Sequence, residues 1–540
     1  MKSRVFALAL AVLMVVMMLT ACTSAPSSTT APAAASTGTT TTPTQAAESN
    51  FNATGLPIVK EPITLKICAG HNMTTKPFAE LPIFQRLEKD TNIKIEWDLV
   101  EGDWSEKKTL MFASNELPDV FLSALGDSDL MANLDRFVAL EDYIKQYAPN
   151  IQKILDTDDS AKKTVTAPDG HIYSTPQRMP NRPMTTLAAM INKQWLDKLQ
   201  LKVPTTPDEL YTVLKAFKTG DPNSNGQADE IPLCYINGII GGYLQSLFGA
   251  WGIVSVDKFQ VKDGKVQYIP MQDGYKQAMT YFSKLYQEGL IDPESVTSER
   301  DWSIYLGKLQ KNPAVVGLCF GWSYDVIGAD IVDQYVPMPA LTGPDGQRGW
   351  GQEPVALVYG RNQLLVTNSN KNIEATVRLA DEFFTPENSL ELFYGPFGTS
   401  ITKNSDGKIE RLPAPEGMSG DEWSWKWGMN DGAPCYISAD AEKNIIPSKM
   451  ETWKLDLDAF YKPFTWKEYF PSLFLSKADS DEVAAIKVDV EKYAKEKAAE
   501  WLVKGGIDAQ WDDYINQLNK MNVARMVEIY QKAYEKYIAS

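Results

Sequence analysis

The sequence predicts an α/β protein made of two units, each a sheet flanked by helices. Residues 61–122 switch repeatedly between the two-residue period of strands and the wider period of helices. A second alternation of the same kind begins near Leu187, and 540 residues at 44% hydrophobic content suffice for more than one core.

In the first unit, residues 64–70 read as a strand and 83–90 as a helix. Ile93, Ile95, Trp97 and Leu99 then alternate with polar neighbours as a second strand. Residues 104–114 continue as a helix and 119–122 as a third, short strand. A βαβαβ opening makes a parallel sheet with right-handed crossovers. Ligands of such sheets gather beyond the carboxyl ends of the strands, which selects His71 and Asn72 after the first strand and Asp103 and Trp104 after the second.

In the second unit, Thr206-Pro207-Asp208-Glu209 is a capping box with proline at the first helical position. Leu210, Val213, Leu214 and Phe217 follow at helical spacing as a core stripe. Residues 275–289 form a helix stopped by glycine, 314–320 a strand suited to burial on both faces, 363–367 a further strand and 373–384 a helix. The chain ends in helices carrying Ile486, Val490, Tyr493 and Trp501, then Val523, Val527, Tyr530, Tyr534 and Tyr537; the tyrosine stripe reads as packing.

Composition removes several function classes. With 53 Lys and Arg against 69 Asp and Glu the net charge is -16, so a phosphate backbone finds no broad basic face and nucleic acid is not an expected partner. Only two histidines occur, His71 and His171, which rules out a three-histidine zinc site and any H-E-x-x-H helix. Neither G-x-S-x-G nor G-x-x-x-x-G-K-[ST] is found. A glycosidase carboxylate pair stays open, because 69 carboxylates always allow one.

The amino terminus gives an address. Lys2 and Arg4 precede an apolar run over residues 5–19, too short for a membrane span and typical of an export signal. Leu19-Thr20-Ala21-Cys22 follows and resembles the lipobox of bacterial lipoproteins. That resemblance implies removal of residues 1–21 and a diacylglyceryl group on the Cys22 thiol, with palmitate-type chains. At about 0.8 kcal/mol per buried methylene, two acyl chains anchor durably where one is marginal. Residues 22–56 are dominated by Ser, Thr, Ala and Pro and read as a flexible linker. Cys68, Cys234, Cys319 and Cys435 are widely spread and read as buried thiols.

Asp221-Pro222-Asn223-Ser224-Asn225-Gly226-Gln227-Ala228-Asp229-Glu230 places oxygen-bearing side chains at the first, third, fifth and ninth positions and glycine at the sixth. This is the opening of an EF-hand loop, and one structural calcium ion is expected. Pro232 replaces the usual bidentate glutamate, and Glu230 at the tenth position offers a carboxylate instead. An Asx-rich turn without metal is the alternative.

The chain also resembles the extracellular solute-binding proteins of ABC importers, family 1 type, in the lipoprotein branch that includes alginate-oligosaccharide binders. The likeness runs from about Glu61 to the carboxyl terminus. It is carried by Tyr147-Ala148-Pro149-Asn150-Ile151, Ala167-Pro168-Asp169-Gly170, the segment 191–199, the loop 221–232, Leu285-Tyr286-Gln287-Glu288-Gly289-Leu290 and Trp511-Asp512-Asp513-Tyr514. It implies calcium on Asp221, Asn223, Asn225, Asp229 and Glu230 with the carbonyl of Gln227. Tyr394-Gly395-Pro396-Phe397-Gly398 matches the branch's Tyr-Gly-x-Glu-Gly, with phenylalanine in place of the glutamate.

By resemblance, the fold is two-lobed and periplasmic-binding-protein-like, each lobe a mostly parallel sheet flanked by helices, with a cleft between them. The expected lobes are 57–187 with 331–410 and 188–330 with 411–540, and the hinge crossings fall near 185–191, 321–330 and 410–422. The implied function is an importer's binding lipoprotein, outside the cytoplasm and anchored to the membrane through Cys22. It captures a carbohydrate, in all expectation an oligosaccharide, as a monomer, without catalysis, and delivers it to the permease subunits. A polysaccharide-acting enzyme such as a glycoside hydrolase, a peptide binder and a surface glycan adhesin are the alternatives.

Sugar rings need flat apolar platforms beside planar polar groups. Trp322 and Tyr324 follow the strand at 314–320, Trp251 lies in a glycine-rich segment and Trp350 in a glycine-rich loop, and each serves equally well as a core residue. Trp423, Trp425 and Trp427 alternate, so that in a strand they would share one face as an aromatic wall.

Overall fold

Short apolar strands nucleate two separate sheets. The structure, a computed structural model, describes residues 49–540 except 72–73, 101–102, 186, 256, 298–299, 352–357, 417, 419 and 540. Cys22 and the signal and linker segments expected before residue 49 lie outside the described residues, as does Asn72. Asn50–Ser540 forms one compact unit. Among the described residues no helix is long and apolar enough to cross a membrane.

In the first sheet, Ile63–Ala69 lies between Ile93–Leu99 and Val120–Leu122, parallel to both, and Leu364–Val366 adds antiparallel to Val120–Leu122 at the edge. Side chains alternate across this sheet as a strand requires. Ile67, Val120, Leu122, Leu364 and Val366 enter the main core of this half, while Cys68, Phe121 and Leu365 turn to a smaller cluster on the opposite face. Pro82–Thr91, Pro149–Thr157 and Ile373–Phe383 cover the main core. Pro82 opens its helix at a position where the missing N–H costs nothing. Asn92 closes that helix at φ 64°, a left-handed conformation that asparagine tolerates better than most residues.

The second sheet has the order Tyr335–Pro337, Ala188–Asn192, Val316–Gly321, Ile231–Leu233. Here the expectation of a mostly parallel sheet gives way. Only the pairing of Ile231–Leu233 with Val316–Gly321 is parallel, and the other two are antiparallel. The α/β class and the two-lobed layout hold. Pro207–Thr219 and Asp273–Gln287 pack on the second core together with the terminal helices Lys477–Lys504, Ile507–Lys520 and Val523–Ala539. Leu210, Leu214 and Phe217 are completely buried, each contributing about 1.5–3 kcal/mol. Thr206 accepts from the Glu209 backbone N–H as the capping box predicts, but Glu209 reaches back to Thr205 rather than to Thr206. Tyr493 and Trp501 both pack on Tyr514, and Tyr530 on Phe259, so the terminal aromatic stripe is packing.

The chain passes between the cores at places that only partly match the expected crossings. Met179 belongs to the first core and Leu187 follows beside Ala188 of the second sheet. Val326, Ile327 and Ile331, expected at a hinge, are in the second core, and so are Tyr335 and Trp350. Ile409 and Met429, flanking the third expected crossing, are in the first core. The later passage runs instead through the helix Lys449–Tyr461, whose Glu451 bonds Arg411 while its Leu457 and Tyr461 are buried in the second core.

Candidate functional site

Strand ends place the site. Gly70 and His71 leave the first strand and Ser123 leaves the third, side by side. Glycine is required at position 70, because a Cβ there would stand 2.2 Å from the Ser123 carbonyl oxygen. Across from these ends run the helices Gly420–Trp427 and Lys449–Tyr461, and the half-open cavity among them measures about 570 Å³. The loop after Gly70 is tied to the first of these helices: Thr75 Oγ1 donates to the Trp425 carbonyl at 2.9 Å and the Lys76 N–H to the Lys426 carbonyl at 3.0 Å. His71 Nε2 lies 2.8 Å from the Thr75 carbonyl oxygen, and its ring meets Phe78 edge-on.

The walls are charged. Arg411 donates through its two terminal nitrogens to Glu451 at 2.8 and 2.9 Å, and its Nε stands 3.5 Å from Asp421. Burial pushes the Glu451 carboxyl up, but the Arg411 hydrogen bonds and charge outweigh it and hold the group below the usual range. Burial raises Asp421, and Arg411 offsets only part of that. Arg182 pairs with Asp431, and burial lowers its affinity for a proton. Lys454 makes no ion pair among the described residues; burial and then Arg182 push its ammonium down. Trp425 supplies the aromatic surface, and Asn181 and Asn430 supply amides.

A second hollow of about 380 Å³ opens on the neighbouring face of the Lys449–Tyr461 helix, lined by Tyr324, Asp325, Lys449 and Trp453. Tyr324 and Trp453 meet with ring centroids 5.6 Å apart. Trp322 stands behind Lys454, whose ammonium is 5.5 Å from its ring.

The sequence expectations divide accordingly. His71 and Trp425 line the first cavity and Tyr324 the second. Trp423, Trp425 and Trp427 do not form a strand wall. They lie on a helix, started by Asp421 and Glu422 and carrying Lys426 in its last turn, charges that suit its dipole. Helical spacing therefore pairs Trp423 with Trp427, 5.6 Å between centroids, and sends Trp425 elsewhere.

Trp350 is core: its ring stacks on Tyr461 at 4.0 Å and its indole donates to the Leu187 carbonyl at 2.9 Å. Trp251 is buried against Tyr281 and Phe282. Tyr394 is buried behind the Arg411–Glu451 pair, its ring 4.6 Å from the guanidinium. Asp103 caps the helix Trp104–Ser114, and the Trp104 indole donates to the Ala124 carbonyl at 2.8 Å; neither reaches the cavity.

Sequence reasoning missed Arg182, Arg411, Asp421, Asp431, Glu451 and Lys454. The one legible signal was Ser448-Lys449-Met450-Glu451, a capping box whose glutamate also holds Arg411.

The loop at 221–230 closes on itself. Asn223 and Asn225 each donate an amide to Asp229 at 3.0–3.1 Å, and Asp221 accepts from the Gly226 N–H at 3.4 Å. Glu230 Oε1 is buried without a hydrogen-bond partner, and burial, then Asp229 and Asp221, raise its pKa. Among the described residues no three His, Cys, Asp or Glu side chains are drawn together as a metal cluster. The donor set nevertheless fits a hard cation, since two of the oxygens come from asparagine amides and an orphaned buried carboxylate oxygen lacks a counter-charge. Cys68, Cys234, Cys319 and Cys435 are free and buried, which keeps them unreactive.

Known proteins share this architecture. The family described as "Bacterial extracellular solute-binding protein" matches residues 72–389. FusA of Streptococcus pneumoniae, a fructooligosaccharide ABC transporter substrate-binding protein, is 34% identical over 503 residues, 89% of this chain and 92% of FusA. Its structure with kestose superposes with a TM-score of 0.79 at 33% identity, covering 88% of this chain and all of that one. A FusA EF-hand mutant with fructo-nystose gives 0.78 over the same shares. A human-milk-oligosaccharide (HMO) binding, ABC-transporter-associated protein of Bifidobacterium longum infantis gives 0.80 at 28% identity, covering 88% and 99%.

Proposed function

The chain belongs to the bacterial extracellular solute-binding proteins, and from that premise we propose that it is the substrate-binding lipoprotein of an ABC importer. It captures an oligosaccharide in the cavity between its two cores and hands it to the permease subunits. The observation that carries this reading is the cavity itself, where strand ends of one half face a helix rooted in the other and tryptophan stands among planar charged groups. Trp425 offers a flat face to sugar C–H groups, while Arg182, Asn181 and Asp431 offer hydrogen bonds to hydroxyls. The two lobes are the two cores, moving about the passages described above. The protein acts outside the cytoplasm, held to the membrane by lipid on Cys22.

How two of the cavity carboxylates are spent supports binding without catalysis. Both carboxylates nearest Arg411, Asp421 and Glu451, are committed to that guanidinium instead of flanking an open space, as a glycosidase pair must. One calcium ion, held by Asp221, Asn223, Asn225, Asp229 and Glu230 with the Gln227 carbonyl, braces the loop after the Pro207–Thr219 helix. The orphaned Glu230 oxygen supports this site, as does the EF-hand named for the relative FusA.

Calorimetric titration with fructo-oligosaccharides and milk oligosaccharides tests the reading, with chromatography of the recovered sugar. The expected result is one-to-one binding, sugar recovered intact, and at least about tenfold weaker binding in Trp425→Ala, or roughly 1.4 kcal/mol. Shortened products would make the protein an enzyme instead.

A further inference from the structure

The cavity neutralises its own cations, and one of those pairings is built from outside. Arg182 is largely but not fully buried, its side chain 12% exposed, yet its partner Asp431 is 72% exposed. The aspartate thus reaches in from the surface to cover a guanidinium within. The turn Asn430–Gly432 fixes it there: Asn430 adopts φ 50°, and the Asp431 carbonyl accepts from Gln177 Nε2 at 2.9 Å. Arg182 Nε has no hydrogen-bond partner among the described residues, and Nη2 also donates to the weakly accepting Met179 Sδ at 3.2 Å, so Asp431 is the anionic partner this guanidinium has among the described residues. Arg411 is already held by Glu451 and Asp421. Around the cavity Arg182, Arg411 and Lys454 are thereby balanced by Asp421, Asp431 and Glu451.

A guanidinium is the side chain best shaped for a carboxylate, which it binds in a two-pronged fork. A uronic acid seeking that fork on Arg182 would compete with Asp431 for Nη2, the nitrogen that both forks of a guanidinium share. It would also bring surplus negative charge beside Asp421 and Glu451, which are already mostly buried there, and added charge at such a place is costly. An uncharged sugar meets neither cost, and its hydroxyls can accept from Arg182 while Asp431 stays in place.

We propose that Asp431 reserves this cavity for uncharged oligosaccharides by occupying Arg182, the guanidinium that a uronate carboxylate would otherwise bind. The proposal rests on the reading that the cavity takes an oligosaccharide.

The test compares the full chain with Asp431→Asn and Asp431→Ser, each checked for an intact cooperative melt. Each is titrated with a neutral panel of fructo- and milk oligosaccharides and with size-matched oligogalacturonates, at low and high salt. The wild type is expected to bind a neutral sugar and to show no measurable uronate binding. At least one variant is expected to bind oligogalacturonate about tenfold or more tightly than the wild type, a gain that shrinks as salt screens the new pair. Wild-type binding of uronates as tight as that of neutral sugars overturns the proposal and leaves the oligosaccharide reading standing. So do folded variants with no gain in uronate binding. Failure of the wild type to bind any sugar of either panel overturns that reading and the proposal together.

Discussion

Glu451 shows how one carboxylate serves two levels of the structure. It accepts from the Ser448 N–H at 2.8 Å, closing the capping box that starts its helix, and it receives both prongs of Arg411. Asp381 is a quieter example, remote from the cavity. It accepts from Asn150 Nδ2 and the Ile151 N–H, both at 2.9 Å, and is 5% exposed. Burial pushes its pKa from the ordinary 3.8 to about 6, against the lowering effect of those hydrogen bonds. The folded chain therefore keeps a proton that the unfolded chain releases. This stabilisation is complete below the unfolded value and is lost as pH rises through about 6, an effect of roughly 3 kcal/mol. Urea unfolding between pH 4 and 7 should show this loss in the wild type and not in Asp381→Asn. Identical pH profiles for the two proteins would refute it.

At the scale of elements, the same residues mean different things according to their period. Three tryptophans at alternate positions make a wall on a strand and split between faces on a helix, and residues 420–427 are helical. The acidic start and basic end of that segment were the legible clue, and aromatic spacing alone pointed the other way. Elements with strong local signals, such as Pro82–Thr91, Ile93–Leu99 and Trp104–Ser114, lie where periodicity placed them. The loop 221–230 belongs to this scale as well. With calcium bound as proposed, a chelator should lower the melting temperature by several degrees, and Glu230→Gln should remove most of that difference. Superimposable melts of the wild type with and without chelator would rule the ion out.

For the whole molecule, the Lys449–Tyr461 helix is an element that couples the halves beside the cavity. Its first turn bonds the Arg411 side of the cavity, and the Tyr461 hydroxyl donates to the carbonyls of Ala189, in the second sheet, and of Met338, just past its edge strand. A ligand seated against Glu451 and Lys454 therefore acts on both halves at once, and can shift an open–closed equilibrium only by binding the closed form better. Small-angle scattering should show the radius of gyration falling when a bound oligosaccharide saturates the protein. Unchanged scattering, with binding confirmed by calorimetry, would mean a rigid site.

The sequence by itself determined the α/β class, the Thr206 helix cap and several core stripes, the oxygen-rich loop and the family likeness. Those signals are local, or are ordered along the chain, so neighbouring residues suffice to carry them. Only the tertiary structure decided which side chains form the cavity. Arg182 and Asp431 lie 249 positions apart, and no local period links a buried guanidinium to an exposed aspartate from another turn. Tertiary packing likewise withdrew Trp251, Trp350 and Tyr394 from the cavity wall. A tryptophan's burial depends on what covers it, and Tyr461, which covers Trp350, arrives from far along the chain.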